Sequence, residues 1–303
     1  MKVIVFGGSG FLGGYVVDEL IARGHQVAVF DRSPPANAPL GTRFIAGDVL
    51  DPAAVDRAVD GFEIAYHFAG QPDIGRSVAD PVGTITLNVL GTSHVLDACR
   101  RFKITRMLFA STLYIFSDCG AFYGASKHCC ERLVDEFSKT FGLDTTIIRY
   151  GSVYGERADA QNRIFRILHQ AIEQGKIVFP GDGSEVREYI HGMDAARLSV
   201  DLLDPAFRNQ AVMLTGAERY RYRDLLELIR EILGGKVAIE YQNLDYPGHY
   251  HLSPYSFVPK LSRKLVANPA LDLGQGLLHC IRHVHDTLKA QATLAAGVTG
   301  DQP

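Results

Sequence analysis

The chain has little sulfur and no long apolar run. Its 303 residues include five cysteines, Cys99, Cys119, Cys129, Cys130 and Cys280. Five is an odd number, and no two of them form a C-x-x-C pair or a zinc-like cluster. A disulfide framework and a metal centre are therefore not expected; reduced thiols in the cytoplasm are. No segment reaches the ~18 uninterrupted apolar residues of a membrane helix. The apolar start Lys2–Phe6 is broken at once by Gly7, Gly8 and Gly10, with Asp18 and Glu19 behind them, so a signal peptide is not expected either. Positive charge is not in excess: 31 basic against 34 acidic residues leave a net charge of −3. That argues against a general nucleic-acid binder. Internal repeats and low-complexity tracts are missing as well.

What remains is an ordinary globular composition, 47% apolar and 21% charged. The length suits two domains of roughly 150 residues each. A chain this long buries roughly three quarters of its unfolded surface and needs no covalent staple. In the first half, strand patterns at Lys2–Phe6, Gln26–Phe30, Arg43–Ala46, Glu63–Phe68, Thr105–Ala110 and Asp144–Arg149 alternate with helical patterns. The helical stretches are Phe11–Arg23, Gly83–Phe102 and Phe122–Phe141. Such alternation predicts βαβ units, right-handed crossovers and a doubly wound parallel sheet.

After about Gly155 the rhythm becomes looser. Helices are expected at Asn162–Gln174, Met193–Leu203, Tyr222–Leu233 and Gly276–Lys289, and strands at Ala211–Leu214 and Lys236–Tyr241. The expected division is 1–155, with a helix returning to it near 191–204, and a smaller mixed α/β domain over 156–303. The tail from about 291 is expected to be disordered.

Thirty residues are glycine, and their placement carries the argument. The first strand runs into Gly7-Gly8-Ser9-Gly10-Phe11-Leu12-Gly13, and a helix follows. Such a turn needs positive φ, close backbone approach to a pyrophosphate and tight helix–strand packing. The helix N-terminus then offers free N–H groups and partial positive charge to the phosphates. Asp31 closes the second strand 18 residues beyond Gly13, about where a ribose-binding acid is expected. Its carboxylate accepts from two ribose hydroxyls and repels a 2′-phosphate, which favours NAD over NADP. Arg32 has two uses here, reaching a 2′-phosphate or stacking on the adenine. The fold expected is thus a Rossmann-type α/β layer.

Tyr123-Gly124-Ala125-Ser126-Lys127 is Y-x-x-x-K. On a helix, residues i and i+4 share a face, so Lys127 stands beside Tyr123. Acting as a base near pH 7 requires the phenol to drop about 3 units from its reference of ~10, roughly 4 kcal/mol. A nearby ammonium shifts it that way. Upstream, Ser111 and Thr112 end a strand at the edge where ligands of parallel sheets collect.

With these residues together, the chain resembles the extended short-chain dehydrogenase/reductase superfamily. Within it, the chain is most similar to the NAD-dependent nucleotide-sugar epimerase/dehydratase family. The resemblance runs through Gly7–Gly13, Asp31, Gly47-Asp48-Val49, His67-Phe68-Ala69-Gly70, Asn88-Val89-Leu90-Gly91-Thr92, Ser111-Thr112, and Tyr123 with Lys127. It continues in Arg149–Gly155 and Gly181–His191.

The resemblance implies NAD as cofactor. Its contacts would be Gly7, Gly10, Phe11, Leu12 and Gly13 at the turn, then Asp31 and Arg32, and Asp48 and Val49 on the adenine side. Phe68, Ala69, Gly70, Asn88, Ser111, Tyr123, Lys127 and Tyr150 would complete the site. Catalysis would fall to Thr112, Tyr123 and Lys127. A nucleotide-diphosphate sugar would meet Thr112, Ser152, Asn162, Arg163 and Arg187, the last gripping the diphosphate.

The reaction implied is C4 epimerisation through a transient 4-keto sugar and bound NADH. A 4-dehydrogenase or ketoreductase with net redox, and a non-catalytic NAD(H)-binding sensor, are the alternatives. A homodimer through helices 83–102 and 122–141 is implied too.

The departures are local. Family dehydratases carry Asp-Glu after the catalytic threonine; here stand Leu113 and Tyr114, so dehydration is not expected. Ile115-Phe116-Ser117 replaces the usual Val-Tyr-Gly. Ten residues separate Thr112 from Tyr123, fewer than is usual. Ser152 replaces a nucleotide-binding asparagine. The C-terminal arginine–aspartate phosphate motif is not visible, and His249 and His251 lie near its place.

Overall fold

The computed structural model describes residues 1–36, 39, 42–242, 249, 251, 254, 263–266 and 270–298. The first elements are β1 (Lys2–Phe6), α1 (Phe11–Ala22), β2 (Gln26–Asp31), β3 (Arg43–Ala46), α2 (Pro52–Val59) and β4 (Ile64–His67). Next come α3 (Ile74–Ala79), α4 (Pro81–Ile85), α5 (Gly91–Arg101), β5 (Arg106–Thr112), α6 (Ala121–Phe141) and β6 (Asp144–Tyr150). A π-helical turn (Thr86–Leu90) precedes α5, and a 3₁₀ turn (Leu113–Phe116) follows β5. Beyond them lie β7 (Ser152–Tyr154), α7 (Arg163–Gln174), β8 (Lys176–Pro180), β9 (Val186–His191), α8 (Gly192–Asp201) and β10 (Gln210–Thr215). The remaining elements are β11 (Arg219–Arg221), α9 (Tyr222–Ile232), β12 (Ala238–Gln242), β13 (Arg263–Val266) and α10 (Leu273–Val298).

The main sheet has eight parallel strands in the order β13-β10-β6-β5-β4-β1-β2-β3. Its central strands read as continuous apolar runs because both faces are covered. On one face Tyr15, Val16 and Leu20 of α1 pack with Ala195, Ala196 and Val200 of α8. On the other, Val55 and Val59 of α2, Val95 and Leu96 of α5 and Val134 of α6 form a second core. Strand order reverses between β1 and β4, which opens a crevice at the strands' carboxyl ends. A third core joins α7, α9 and α10 to β8 and β9. This smaller part holds a β11-β9-β7 sheet and a β12-β8 pair.

Three features depart from the sequence expectations. The helix expected over 83–102 is interrupted by the π-helical turn, where Asn88 is buried and bonded to neighbouring segments. The main sheet takes β10 and β13 from beyond residue 155, so it is not confined to the first half. The tail expected to fray from 291 is helical through Val298, in keeping with its Ala/Leu-rich sequence; residues 299–303 fall outside the described set. Among the described residues, no helix is long and apolar enough to cross a membrane.

Candidate active site

The glycine turn is fixed by contacts that exclude side chains. Gly7 has φ +78°, and a Cβ there would lie 2.5 Å from the main-chain N of Ala69. A Cβ on Gly13 would lie 2.2 Å from the Gly7 carbonyl oxygen. Glycine at position 10 leaves the first turn of α1 with no side-chain cap, so its N–H groups suit an anion. At the end of β2, Asp31 Oδ2 accepts from the Ser9 N–H at 3.1 Å, and Oδ1 from the Arg32 N–H at 2.7 Å. The carboxylate is thereby oriented beside the turn. Asp48 similarly accepts from the Leu50 N–H at 2.9 Å.

A cavity of about 560 Å³ starts here and extends along the crevice. Gly7, Gly10, Phe11, Leu12 and Gly13 line its first part, with Asp31, Arg32, Asp48 and Val49 beside them. Phe68, Ala69, Gly70 and Tyr150 line its middle. Ser111, Thr112, Tyr123, Lys127, Ser152 and Asn162 line its far part. A dinucleotide fits this lining: an anion-ready helix start, an acid beside it at the end of β2, and apolar Phe11, Leu12, Phe68 and Ala69.

At the far part, β5 delivers Ser111 and Thr112, and α6 delivers Tyr123 and Lys127. Lys127 Nζ donates to the Ala110 carbonyl at 2.9 Å and lies 4.7 Å from the Phe109 ring centroid. Burial lowers the ammonium's pKa from its ordinary value. Ser111 Oγ donates to Glu131 Oε1 at 2.5 Å. The other side of that carboxylate takes Arg149, Nη2 to Oε2 at 2.7 Å and Nε to Oε1 at 3.0 Å. Glu131 and Arg149 are both buried. The Ser111 proton is thus committed beneath the cavity floor, leaving its oxygen as an acceptor. Thr112 Oγ1 accepts from the Tyr114 N–H at 3.3 Å, and its own O–H is able to donate to a ligand.

Three expected contacts lie elsewhere. Asn88 does not line the cavity; its carboxamide accepts from the Gln71 N–H at 2.6 Å and donates to Ser126 Oγ at 2.8 Å. It braces the Gly70–Gln71 segment from behind, and a Cβ on Gly70 would lie 2.7 Å from its Oδ1. Arg163 and Arg187 are also outside the lining. Their guanidinium groups sit over the Tyr222 ring, 4.5 Å and 5.6 Å from its centroid. Arg187 is only 2% exposed, so it is no surface charge. Asn162 lines the cavity while capping α7, accepting from the Ile164 N–H at 3.0 Å and donating to the Val153 carbonyl at 2.9 Å.

Sequence reasoning assigned no role to Gln71, Asp73, Tyr114 or Gln161, all of which line the cavity, or to Glu131. For Glu131 a signal exists: it follows Lys127 by four residues, as Lys127 follows Tyr123.

The model of the NAD dependent epimerase/dehydratase family matches residues 3–212, more than half of the chain. The chain belongs to this family. As a member it is NAD dependent, and the glycine turn with Asp31 is where that cofactor fits. A UDP-glucose 4-epimerase of Corynebacterium glutamicum is 27% identical, covering 79% of this chain and 83% of the relative. A dTDP-glucose 4,6-dehydratase of an Actinoplanes species is 25% identical, covering 93% and 97%. Among solved structures, the UDP-glucose 4-epimerase of Thermus thermophilus in complex with NAD matches with a TM-score of 0.81 and 26% identity. That match covers 94% of this family member and 99% of the Thermus chain.

Proposed function

We propose that the protein is an NAD-dependent nucleotide-sugar epimerase acting at C4, with UDP-sugars the first substrates to try. The observation that carries this reading is that Thr112, Tyr123 and Lys127 line the same cavity as the glycine turn. Bound NAD supplies a reversible two-electron acceptor at the sugar carbon. Everything else falls to the chain. Tyr123 takes the proton of the C4 hydroxyl and returns it, and Thr112 donates to the same oxygen. Lys127, the cation one helical turn along, favours the ionised phenol.

Similarity alone does not separate epimerases from dehydratases. Leu113 and Tyr114 follow Thr112, and neither supplies the carboxylate that water loss would need. The proposed substrate residues Ser152 and Asn162 line the same cavity as Thr112 and Tyr123. Arg163 and Arg187, whose guanidinium groups sit over the Tyr222 ring outside the cavity lining, are the cations proposed for the diphosphate. We also propose a homodimer through α4–α6. Val82, Ile85 and Phe122, on or between those mutually packed helices, are 75%, 44% and 40% exposed.

The test is incubation with a panel of UDP-, GDP-, CDP- and dTDP-sugars, read by NMR for inversion at C4. Inversion without net change in nicotinamide absorbance supports the epimerase. One equivalent of absorbance change per sugar identifies a dehydrogenase or ketoreductase instead.

A further inference from the structure

Tyr114 occupies a place that the chain has shaped for it. It lies in the 3₁₀ turn directly after Thr112 and lines the cavity. The residue before α6 makes room for the ring: a Cβ on Gly120, which has φ +91°, would lie 2.8 Å from Tyr114 Cδ1. The ring stands edge-on to Tyr123, with centroids 6.3 Å apart and planes at 71°. Its other neighbour is His249, with centroids 5.8 Å apart and planes at 68°. The phenol and Nδ1 of His249 are 2.5 Å apart.

His249 is half-buried. Burial and the charges of Arg163, Arg187 and Arg166 hold its pKa down at about 3. The imidazole is therefore neutral at physiological pH. In the pair proposed here Nδ1 accepts from the Tyr114 O–H, and the neutral ring carries its proton on Nε2.

We propose that Tyr114 and His249 form a positioning pair for Tyr123, with the Tyr114–His249 hydrogen bond holding the ring against which Tyr123 is set. This rests on the reading of Tyr123 as the base. The pair also ties the strand end that carries Thr112 to the side of the molecule that carries the three arginines. A base held edge-on by a fixed neighbour is pre-aligned with the sugar hydroxyl; one beside a rotating ring is not. Tyr114 acts here through Tyr123 and exchanges no proton with the sugar.

The test is a double-mutant cycle on the NAD-loaded protein, with kcat and KM measured separately on the best sugar of the panel. Tyr114→Phe keeps the ring and loses the bond; kcat should fall about fivefold, the worth of one neutral hydrogen bond, with KM nearly unchanged. His249→Leu should do the same, the double variant should lose no more than either single, and His249→Gln, which retains an acceptor, should restore most of kcat. Losses that multiply in the double variant, or an unchanged kcat in Tyr114→Phe, would overturn the pairing.

A second readout needs no turnover. In ¹⁵N-labelled protein, the imidazole assigned by its loss in His249→Gln should be a neutral Nε2–H tautomer throughout pH 5–8, and its Nδ1 shift should move in Tyr114→Phe. An ordinary titration near 6.5, or no response to Tyr114→Phe, refutes the pair whether or not any sugar is converted. If no sugar is converted but the imidazole behaves as described, the epimerase reading fails and the pair stands.

Discussion

Lys127 donates its ammonium to the main-chain carbonyl of Ala110 at 2.9 Å, one residue before the strand end that carries Ser111 and Thr112. The helix face bearing Tyr123 is thereby tied to the strand bearing Ser111 and Thr112. Lys127→Met removes both the tie and the cation beside Tyr123. We expect kcat to fall about a hundredfold, and the basic group that governs activity to titrate at higher pH. A pH–rate profile checks both.

Tyr123→Phe removes the proton acceptor and keeps the ring that packs beside Tyr114. Conversion should fall by about 10²- to 10⁴-fold. NAD affinity, measured by calorimetry, should stay within a few-fold of the original because the glycine turn is untouched.

The buried Glu131–Arg149 pair should matter to stability before it matters to chemistry. Glu131→Gln leaves the Arg149 guanidinium, 1% exposed, without its counter-charge, at a cost of about 3–5 kcal/mol. Ser111→Ala removes one hydrogen bond to the same carboxylate and should cost about 1.5–3 kcal/mol. Urea melts of the two variants should keep that order.

Acid should destabilise the fold through His67. The ring is buried, with Nε2 3.0 Å from Thr92 Oγ1. Burial, then the Lys127 charge, push its pKa down from 6.5 to about 3. Between those values the unfolded chain binds the extra proton, so stability rises with pH across the window. It is complete above about 6.5 and is lost as pH falls toward 3, at about 1.4 kcal/mol per unit. Glu156, held down at about 2 chiefly by its bond to His191, adds a loss of the same sign below about 4.5. Urea midpoints should be flat from pH 7 to 8 and fall below 6.5, and His67→Gln should flatten part of that fall.

Asp31→Ala should separate cofactor binding from folding. It removes the acceptor for the Ser9 N–H and the acid proposed for the ribose. NAD affinity should fall at least about tenfold by calorimetry, with little change in melting because Asp31 is only half-buried.

The cofactor half was legible because its signals are local. Strand β1 ends where Gly7 must take positive φ, and Tyr123 and Lys127 are one helical turn apart. Other features depend on partners distant in sequence. Strand β9 hides its pattern because Arg187 and Glu188, polar by type, are both buried there. Within the π-helical turn at Thr86–Leu90, Asn88 bonds Gln71 and Ser126, which no periodicity records. Ser111 reads as a group at the ligand edge, and only Glu131, twenty residues later, shows where its proton goes.

The eight-stranded sheet has a mechanical consequence. Among the chain's passages between the main sheet layer and the smaller part are Tyr150–Ser152, His191–Gly192 and Thr215–Arg219. Two of them are held by close contacts: the Gly151 N–H bonds the Leu214 carbonyl at 2.9 Å, and a Cβ on Gly216 would lie 1.8 Å from the Tyr189 carbonyl oxygen. A swing of the smaller part about Tyr150–Ser152 therefore works against the contacts at Leu214 and Gly216 as well.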